Sequence, residues 1–438
     1  MTDLNTILSN FQITALNEMQ TASIDAILKP SDFILISPTG SGKTLAFLIP
    51  ILELLQSDLE MVQVLIVVPT RELAIQIEKV FRQMGTGFKV NSCYGGHSIG
   101  IEINNLQQPP AILVGTPGRI AHHLRHHYLD LVQTHTMILD EFDKSLEFGF
   151  KVEMEYIIQQ AKNLKKRILT SATSLLEIPD FVGLNEHISL NFTNDNSGLK
   201  SALVMKSVRV EGDDKLEALI LLLGKIGSNS TIVFCNHRET VNRISEQLSI
   251  SNIEHGAYHG GLEQIDRERT LIKLRNGSVN LLVTTDLAAR GLDIPEIEAV
   301  IHYHLPPTED VMIHRNGRTA RMNANGTSYF LLDHDDYLPK FITTEPEVES
   351  LPKDFIPLKT SEWKTLYIAA GKKDKINKMD IVGMLLKKGE LQKHELGRVD
   401  VLDHSSYVAI QSNKIYQCLQ RVKSEKIKNK KVRFDISK

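Results

Sequence analysis

Residues Ser37-Pro38-Thr39-Gly40-Ser41-Gly42-Lys43-Thr44 combine two glycines, a lysine and a hydroxyl in an order suited to holding a polyphosphate. They follow the apolar run Phe33-Ile34-Leu35-Ile36 and open the apolar stretch Leu45 to Leu55, so the expected context is strand, loop, helix. Gly40 and Gly42 lack Cβ, which lets the backbone turn tightly and aim its N–H groups, with the helix N-terminus, at phosphate oxygens. Lys43 would reach the β- and γ-phosphates and Thr44 would ligate Mg²⁺, with Thr39, Gly40, Ser41 and Gly42 lining the nucleotide; ATP and Mg²⁺ are the expected cofactors. Ser37 stands where the general pattern has a glycine, and the strand–helix context restores the match. A second group, Asp140-Glu141-Phe142-Asp143, directly follows Thr136-Met137-Ile138-Leu139. Adjacent carboxylates leaving a buried strand need a cation or a hydrogen-bond network. Near a phosphate loop, Asp140 would bind Mg²⁺ through water, and Glu141 would position or deprotonate the water that attacks the γ-phosphate.

The elements that must position these groups alternate. Val64-Leu65-Ile66-Val67-Val68, Ala111-Ile112-Leu113-Val114, Thr136 to Leu139 and Arg167-Ile168-Leu169-Thr170 are short apolar runs separated by amphipathic segments such as Arg71 to Met84. This pattern predicts an α/β fold with parallel strands covered by helices on both faces and ligands at the carboxyl ends of the strands. A polar stretch at 194–200 reads as an interdomain linker, and a second alternating unit follows without its own phosphate loop. That unit holds Thr285-Asp286-Leu287-Ala288-Ala289-Arg290-Gly291-Leu292-Asp293 and His314-Arg315-Asn316-Gly317-Arg318-Thr319-Ala320-Arg321. Arg318 and Arg321 lie three apart, which on a helix would put both on one face, aimed at one anion.

Pro69-Thr70-Arg71-Glu72-Leu73-Ala74, Gly95-Gly96, Thr116-Pro117-Gly118-Arg119 and Ser171-Ala172-Thr173 each follow an apolar strand or its turn. In form and order these stretches resemble the DEAD-box RNA helicases. The resemblance implies two tandem RecA-like parallel-sheet domains that close on ATP and RNA and separate strands locally. It implies that Arg71, Gly96, Thr116 and Arg119 grip the RNA backbone, that Gln264 and Arg267 contact RNA or the facing domain, that Thr285 contacts RNA, and that Asp293 holds the ribose. Asp143, Ser171 and Thr173 would couple the nucleotide and RNA sites, Arg318 and Arg321 would act as arginine fingers, and Gln20 would read adenine. Two departures stand out: Phe142 replaces the usual Ala of the acidic tetrad, and Asp3 and Leu4 stand where an aromatic residue usually stacks on adenine. Phe142, at a strand end, is expected to point away from the metal side and into packing. The alternative reading of the same motifs is an ATP-gated RNA clamp or scaffold with weak unwinding.

The last segment has a different character. Residues 361–438 hold 18 Lys and Arg against 9 Asp and Glu, although the whole chain carries a net charge of −3. A basic module on an acidic body suggests a polyanion partner. Its pattern reads strand Lys364 to Ala370, helix Asp380 to Lys388, strand Leu396 to Leu402, strand Tyr407 to Gln411, helix Lys414 to Val422 and strand Lys431 to Ile436. The order βαββαβ predicts a small α+β, RRM-like domain. Gly371-Lys372-Lys373-Asp374-Lys375, Asp380-Ile381-Val382-Gly383 and Leu396-Gly397-Arg398-Val399-Asp400-Val401 resemble the C-terminal RNA-binding domain of DbpA-type DEAD-box helicases, which implies large-subunit ribosomal RNA as the partner and ribosome assembly as the setting. Lys372, Lys373 and Lys375 would contact phosphates. The expected domains are 1–197, 205–337, a linker at 338–360 and 361–438.

Other features narrow the class. Cys93, Cys235 and Cys418 lie far apart, which argues against disulfides and for a reducing compartment, and Phe234-Cys235 reads as core strand. No apolar stretch reaches the roughly 20 residues of a membrane span, and no signal peptide is visible, so a cytoplasmic protein away from membranes is expected; a monomer is expected as well. His122, His123, His126 and His127 have metal-compatible spacing but no evident acidic partner in sequence, and read as a solvated helix face.

Overall fold

A computed structural model describes residues 3–38, 40–96, 99–173, 178–193, 203–210, 215–289, 294–295, 297–319, 326–428 and 430–437. The chain divides into two compact units. The first holds a seven-stranded parallel sheet of β1 (Asp32–Ile36), β2 (Val64–Val67), β3 (Val90–Cys93), β4 (Ile112–Gly115), β5 (Thr136–Leu139), β6 (Lys166–Ser171) and β7 (His187–Asn191), in the order β3-β4-β2-β5-β6-β1-β7. Strands β1, β2, β4 and β5 are apolar at nearly every position because helices cover both faces, whereas β3, β6 and β7 carry polar residues as well. Phe33, Leu35, Val64 and Ile66 enter one core; Ile34, Leu65 and Val67 enter the core on the opposite face. The period of two in a pleated strand sends neighbours to opposite sides. The helix Arg71–Met84 shows the local logic: Thr70 caps it by accepting from the Leu73 N–H, Gly85 ends it in the left-handed region, and Leu73, Ala74, Ile77, Phe81 and Met84 form its buried stripe.

The second unit begins with another seven-stranded parallel sheet: β8 (Leu203–Arg209), β9 (Thr231–Phe234), β10 (Gly256–Tyr258), β11 (Leu281–Thr284), β12 (Ala299–His302), β13 (Gly326–Leu332) and β14 (Glu347–Val348), ordered β10-β11-β9-β12-β13-β8-β14. The segment expected to link domains at 338–360 is packed along this sheet: β14 extends its edge, Leu351 and Leu358 join its core, and Ile356 lies where a side chain on Gly224 would collide. Cys235 is fully buried, as expected of core strand, and burial pushes its thiol up to about 12.

The same unit carries a four-stranded antiparallel sheet of β15 (Trp363–Ile368), β16 (Leu396–Val401), β17 (Ser406–Gln411) and, after the short hairpin of β18 (Lys426–Ile427) and β19 (Lys430–Lys431), β20 (Phe434–Ile436). The order β16-β17-β15-β20, with helices Lys378–Lys387 and Ile415–Val422 between strands, is the split βαββαβ arrangement. The last strand expected at Lys431 to Ile436 is shorter, because Lys428 turns at positive φ and closes the hairpin first.

Candidate nucleotide and RNA sites

The nucleotide loop lies between β1 and the helix Lys43–Leu54, as its context required. Gly40 and Gly42 have φ of 82° and 91°, a region that favours glycine, and a Cβ on Gly42 would come within 2.5 Å of the Gln20 amide nitrogen. Lys43 folds back and donates to the backbone carbonyls of Ser37 and Pro38, while the Ser37 hydroxyl donates to Ser41 at 2.8 Å. Thr39 lies outside the described residues. Gln20 is more engaged than the sequence suggested. Its carbonyl accepts from the Asn17 N–H at 3.0 Å and its amide donates to the Gly42 carbonyl at 3.3 Å, so it caps the helix Glu18–Ile27 and braces the loop together. Asp3, at the position of the absent aromatic, caps the helix Leu4–Asn10, and Leu4 is largely exposed.

Asp140 and Glu141 follow β5 and are both buried. Asp140 accepts from the Thr170 hydroxyl and from the Glu141 N–H at 3.1 Å. Burial pushes its carboxyl above the usual carboxylate value, against the Thr170 hydrogen bond and the positive charge of Lys43. A buried carboxylate held this way, within the field of Lys43, is a hard oxygen donor of the kind that suits a divalent cation. Glu141 adopts φ 49° and ψ 49°, a left-handed conformation rare for a residue with a Cβ and found preferentially at functional sites. Phe142 is fully buried, as expected, but for a different reason: the strand has ended at Leu139, and Phe142 opens the helix Phe142–Glu147, whose inward face meets the core with Leu139, Met154 and Ile157. The Thr173 hydroxyl donates to Asp143 at 3.5 Å, and Ser171 donates to the Thr173 carbonyl at 2.7 Å, so the Asp143, Ser171 and Thr173 segments are in contact. Thr170 closes the apolar run Arg167 to Thr170, and its hydroxyl one position before Ser171 is the sequence signal for this contact.

Arg71, Gly96, Thr116 and Arg119 also gather at strand ends of the first sheet. Gly96 has φ 80°, and a Cβ there would sit 2.5 Å from the Arg71 guanidinium. Thr116 stands at the start of the helix Pro117–Arg125 without a side-chain capping bond, and its N–H donates to the Cys93 carbonyl at 3.1 Å. The histidine cluster is only partly a solvated face: His126 and His127 are exposed, as expected, and His123 is not. His123 is fully buried and its Nε2 lies 2.7 Å from Glu102, an acidic partner supplied by a different helix and therefore invisible to helical spacing. Cys93, Glu102 and His123 place ligand-type atoms within 4.8 Å of one another. The Glu102 carboxylate is nevertheless shared with Arg119 at 3.5 Å, and burial pushes the Cys93 thiol well above its usual value, which favours an ion-pair network over a metal centre.

In the second unit the helical-face argument for the two arginines does not hold. The helix Glu309–Asn316 ends at Gly317, and Arg318 lies beyond it, buried, with its carbonyl accepting from the Ile297 N–H at 3.2 Å. Gly317, directly after the last helical turn, is the stop signal in the sequence. Arg321 and Asp293 lie outside the described residues. Arg315, which had no assigned role, is fully buried and binds Asp286, the Asn236 side chain at 2.7 Å and the His304 carbonyl at 2.8 Å, tying three strand ends together. Gln264 opens the helix Gln264–Arg275, Arg267 is buried on it, and Thr285 follows β11.

In the C-terminal domain Lys372, Lys373 and Lys375 are exposed on one turn. Asp374 pairs with Lys430, and Asp380 with Lys428 at 2.7 Å, which brings the β18–β19 hairpin and its lysines to the same end. Part of the open sheet face packs on the preceding domain: Thr365 bonds Asn276 at 2.9 Å and Ser278 at 2.6 Å, and Ser361 donates to the Gly277 carbonyl at 2.5 Å. The lysine turn stays exposed.

Comparison with known proteins agrees with this geometry. The DEAD/DEAH box helicase family matches residues 17–179, the helicase conserved C-terminal domain 214–323, and the DbpA RNA binding domain 365–436. The chain is 31% identical over 449 residues to "ATP-dependent RNA helicase DbpA" of Escherichia coli (strain K12), covering 99% of this chain and 98% of that protein. This chain belongs to the DbpA-type DEAD-box RNA helicases. The protein of the same name from Bacillus subtilis (strain 168) is 30% identical over 468 residues, covering 99% of this chain and 97% of that protein. Saccharomyces cerevisiae Dbp5 bound to RNA and ADP BeF3 has the same two-domain fold, with a TM-score of 0.68 at 24% identity over 75% of this chain and 88% of that one. This helicase is thus an ATP-dependent RNA helicase that couples RNA binding to ATP hydrolysis. No helix among its described residues is long and apolar enough to cross a membrane.

Proposed function

We propose that this helicase unwinds or remodels large-subunit ribosomal RNA locally during ribosome assembly, as a cytoplasmic monomer. The observation that carries the RNA target is the C-terminal domain: a basic βαββαβ fold with an exposed lysine turn, matched over 365–436 by the DbpA RNA binding domain. Lys372, Lys373 and Lys375 hold phosphates there, which positions an RNA without reading its sequence.

At the nucleotide site, Gly40, Ser41 and Gly42 present backbone N–H groups to the phosphates, and Lys43 exchanges its carbonyl partners for phosphate oxygens. Thr44 and Asp140 would hold Mg²⁺, Asp140 through water, and that ion neutralises phosphate charge when bound. Glu141, held in its left-handed conformation beside Asp140, orients the attacking water and accepts its proton. Gln20 keeps its brace on the loop and turns one amide edge to adenine, and Asp293 holds the ribose. Arg318 and Arg321 supply positive charge to the γ-phosphate in the hydrolytic state, a contribution of about 10³-fold or more for an arginine finger. Arg71, Gly96, Thr116 and Arg119, with Gln264, Arg267 and Thr285, hold the RNA backbone, and the contacts among Asp143, Ser171 and Thr173 link the acidic tetrad to that surface.

ATP turnover measured side by side with ribosomal RNA, its large-subunit hairpin fragments, unrelated RNA and DNA tests the proposal. The expected order places the ribosomal hairpin first and DNA last, and removal of 361–438 should abolish that preference while RNA-stimulated turnover survives. Equal stimulation by all RNAs in the full chain would reject the ribosomal target. Multiple-turnover separation of a short duplex distinguishes unwinding from clamping.

A further inference from the structure

Glu102, which lies in none of the motif stretches, is a buried carboxylate that meets both the Tyr94–Gly96 turn and the Arg119 helix. It lies on the helix Ile99–Leu106 with 1% of its surface exposed. One oxygen accepts from the Tyr94 N–H at 3.1 Å, immediately before the Gly95-Gly96 turn. The other meets the His123 ring at 2.7 Å and the Arg119 Nε at 3.5 Å. Arg119 and His123 are four residues apart on the helix Pro117–Arg125, so they present one face to the same carboxylate. Gly96 in turn leaves just the room that the Arg71 guanidinium occupies. A single buried charge therefore joins the Gly96 turn, the Arg119 helix and, through Gly96, Arg71.

A carboxylate this buried is stable only while its partners remain, and losing one leaves an uncompensated charge. Arginine loses substantial side-chain entropy when it is fixed in one rotamer. If Glu102 fixes that rotamer beforehand, RNA does not have to. We propose that Glu102 is a positioning residue for RNA: its carboxylate sets the Arg119 guanidinium and the Tyr94–Gly96 turn in the relative orientation that the RNA backbone requires. This rests on the reading that Arg119 and Gly96 contact RNA. His123, on the same helix as Arg119, supports the carboxylate at the same oxygen.

The test compares Glu102→Ala, Glu102→Gln, Arg119→Ala and the double variant Glu102→Ala/Arg119→Ala in the full chain, using poly-uridine RNA. RNA half-saturation and maximal rate of ATP turnover are read together with nucleotide affinity and thermal melting. Glu102→Ala should raise the RNA half-saturation about tenfold with nucleotide affinity unchanged, and it should add less than about twofold on top of Arg119→Ala, because contacting groups are not additive. Glu102→Gln keeps the Tyr94 and His123 hydrogen bonds and loses the charge, so an intermediate rise of about threefold is expected. A lowered melting temperature without a change in RNA half-saturation would overturn the positioning role, as would full additivity in the double variant. Should Glu102→Ala fail to fold, Glu102→Gln decides by the same two criteria. An Arg119→Ala variant with unaltered RNA half-saturation would instead overturn the underlying assignment of Arg119, which keeps the two failures distinct.

Discussion

Replacing Phe142 by alanine separates packing from chemistry at the acidic tetrad. The ring is fully buried in the core that also holds Leu139, Met154 and Ile157. Taking a buried Phe to Ala forfeits the transfer free energy of the ring and leaves a cavity, together about 3–5 kcal/mol. For a domain of this size each kcal/mol moves the melting midpoint by about 2–4 °C, so a fall of roughly 6–20 °C is expected for the first unit. The Asp140 and Glu141 geometry is set instead by the Thr170 hydroxyl and by the backbone at Glu141. RNA-stimulated ATP turnover, assayed well below the lowered midpoint, should therefore stay within about threefold of the parent, since the ring makes no transition-state contact. Calorimetry and a coupled ATPase assay give both numbers. A melting shift under about 2 °C would refute the packing argument, and a hundredfold loss of turnover in folded protein would show that the ring bears directly on the carboxylates.

Lys43→Ala should abolish ATP turnover, a loss of at least about a hundredfold for a phosphate-binding charge, while the melting curve stays close to the parent's; turnover within tenfold would dismiss the role of Lys43. Thr170→Val removes the hydroxyl that donates to Asp140, so the Asp140 carboxyl should rise further and the acidic limb of the ATPase pH profile should move to higher pH; an unmoved limb would mean that Asp140 does not titrate in the reaction. His302 is fully buried, and burial, reinforced by Arg315, lowers it from the usual 6.5 to about 3. Its folded form stays neutral while the unfolded chain takes up a proton, so this residue contributes stability that is whole above about pH 6.5 and is lost as pH falls towards 3, at up to about 1.4 kcal/mol per unit. Urea titrations between pH 7 and 5 should show that slope and lose it in His302→Asn; identical slopes would exclude the residue. Arg318→Lys should reduce turnover at least tenfold with nucleotide affinity kept, as expected for a group that acts on the transition state, and equal turnover would remove the arginine-finger role.

Local pattern carried far in this chain. The glycines of the nucleotide loop, the two parallel units and the βαββαβ order of the C-terminal domain follow from strand-length apolar runs, helical stripes and residues that only tight turns accommodate. The same rules placed Phe142 inside while assigning it to the wrong element, because a left-handed residue after β5 starts a helix earlier than alternation along a strand can reveal. The helix expected through Arg318 and Arg321 stops at Gly317 for a local reason that was legible and outweighed by spacing.

What sequence determined here were features with a local cause: the loop, the acidic tetrad, the order of strands along the chain and the basic surplus at its end. Tertiary structure alone decided which distant groups meet. Glu102 finds His123 and Arg119 from another helix, Thr170 reaches Asp140 across neighbouring strands, Arg315 gathers Asp286 and Asn236, and Thr365 closes on Asn276 and Ser278. Burial is the reason: once packing removes water from a polar group, its partner is whichever donor or acceptor the fold brings within reach, and separation along the chain no longer limits the choice.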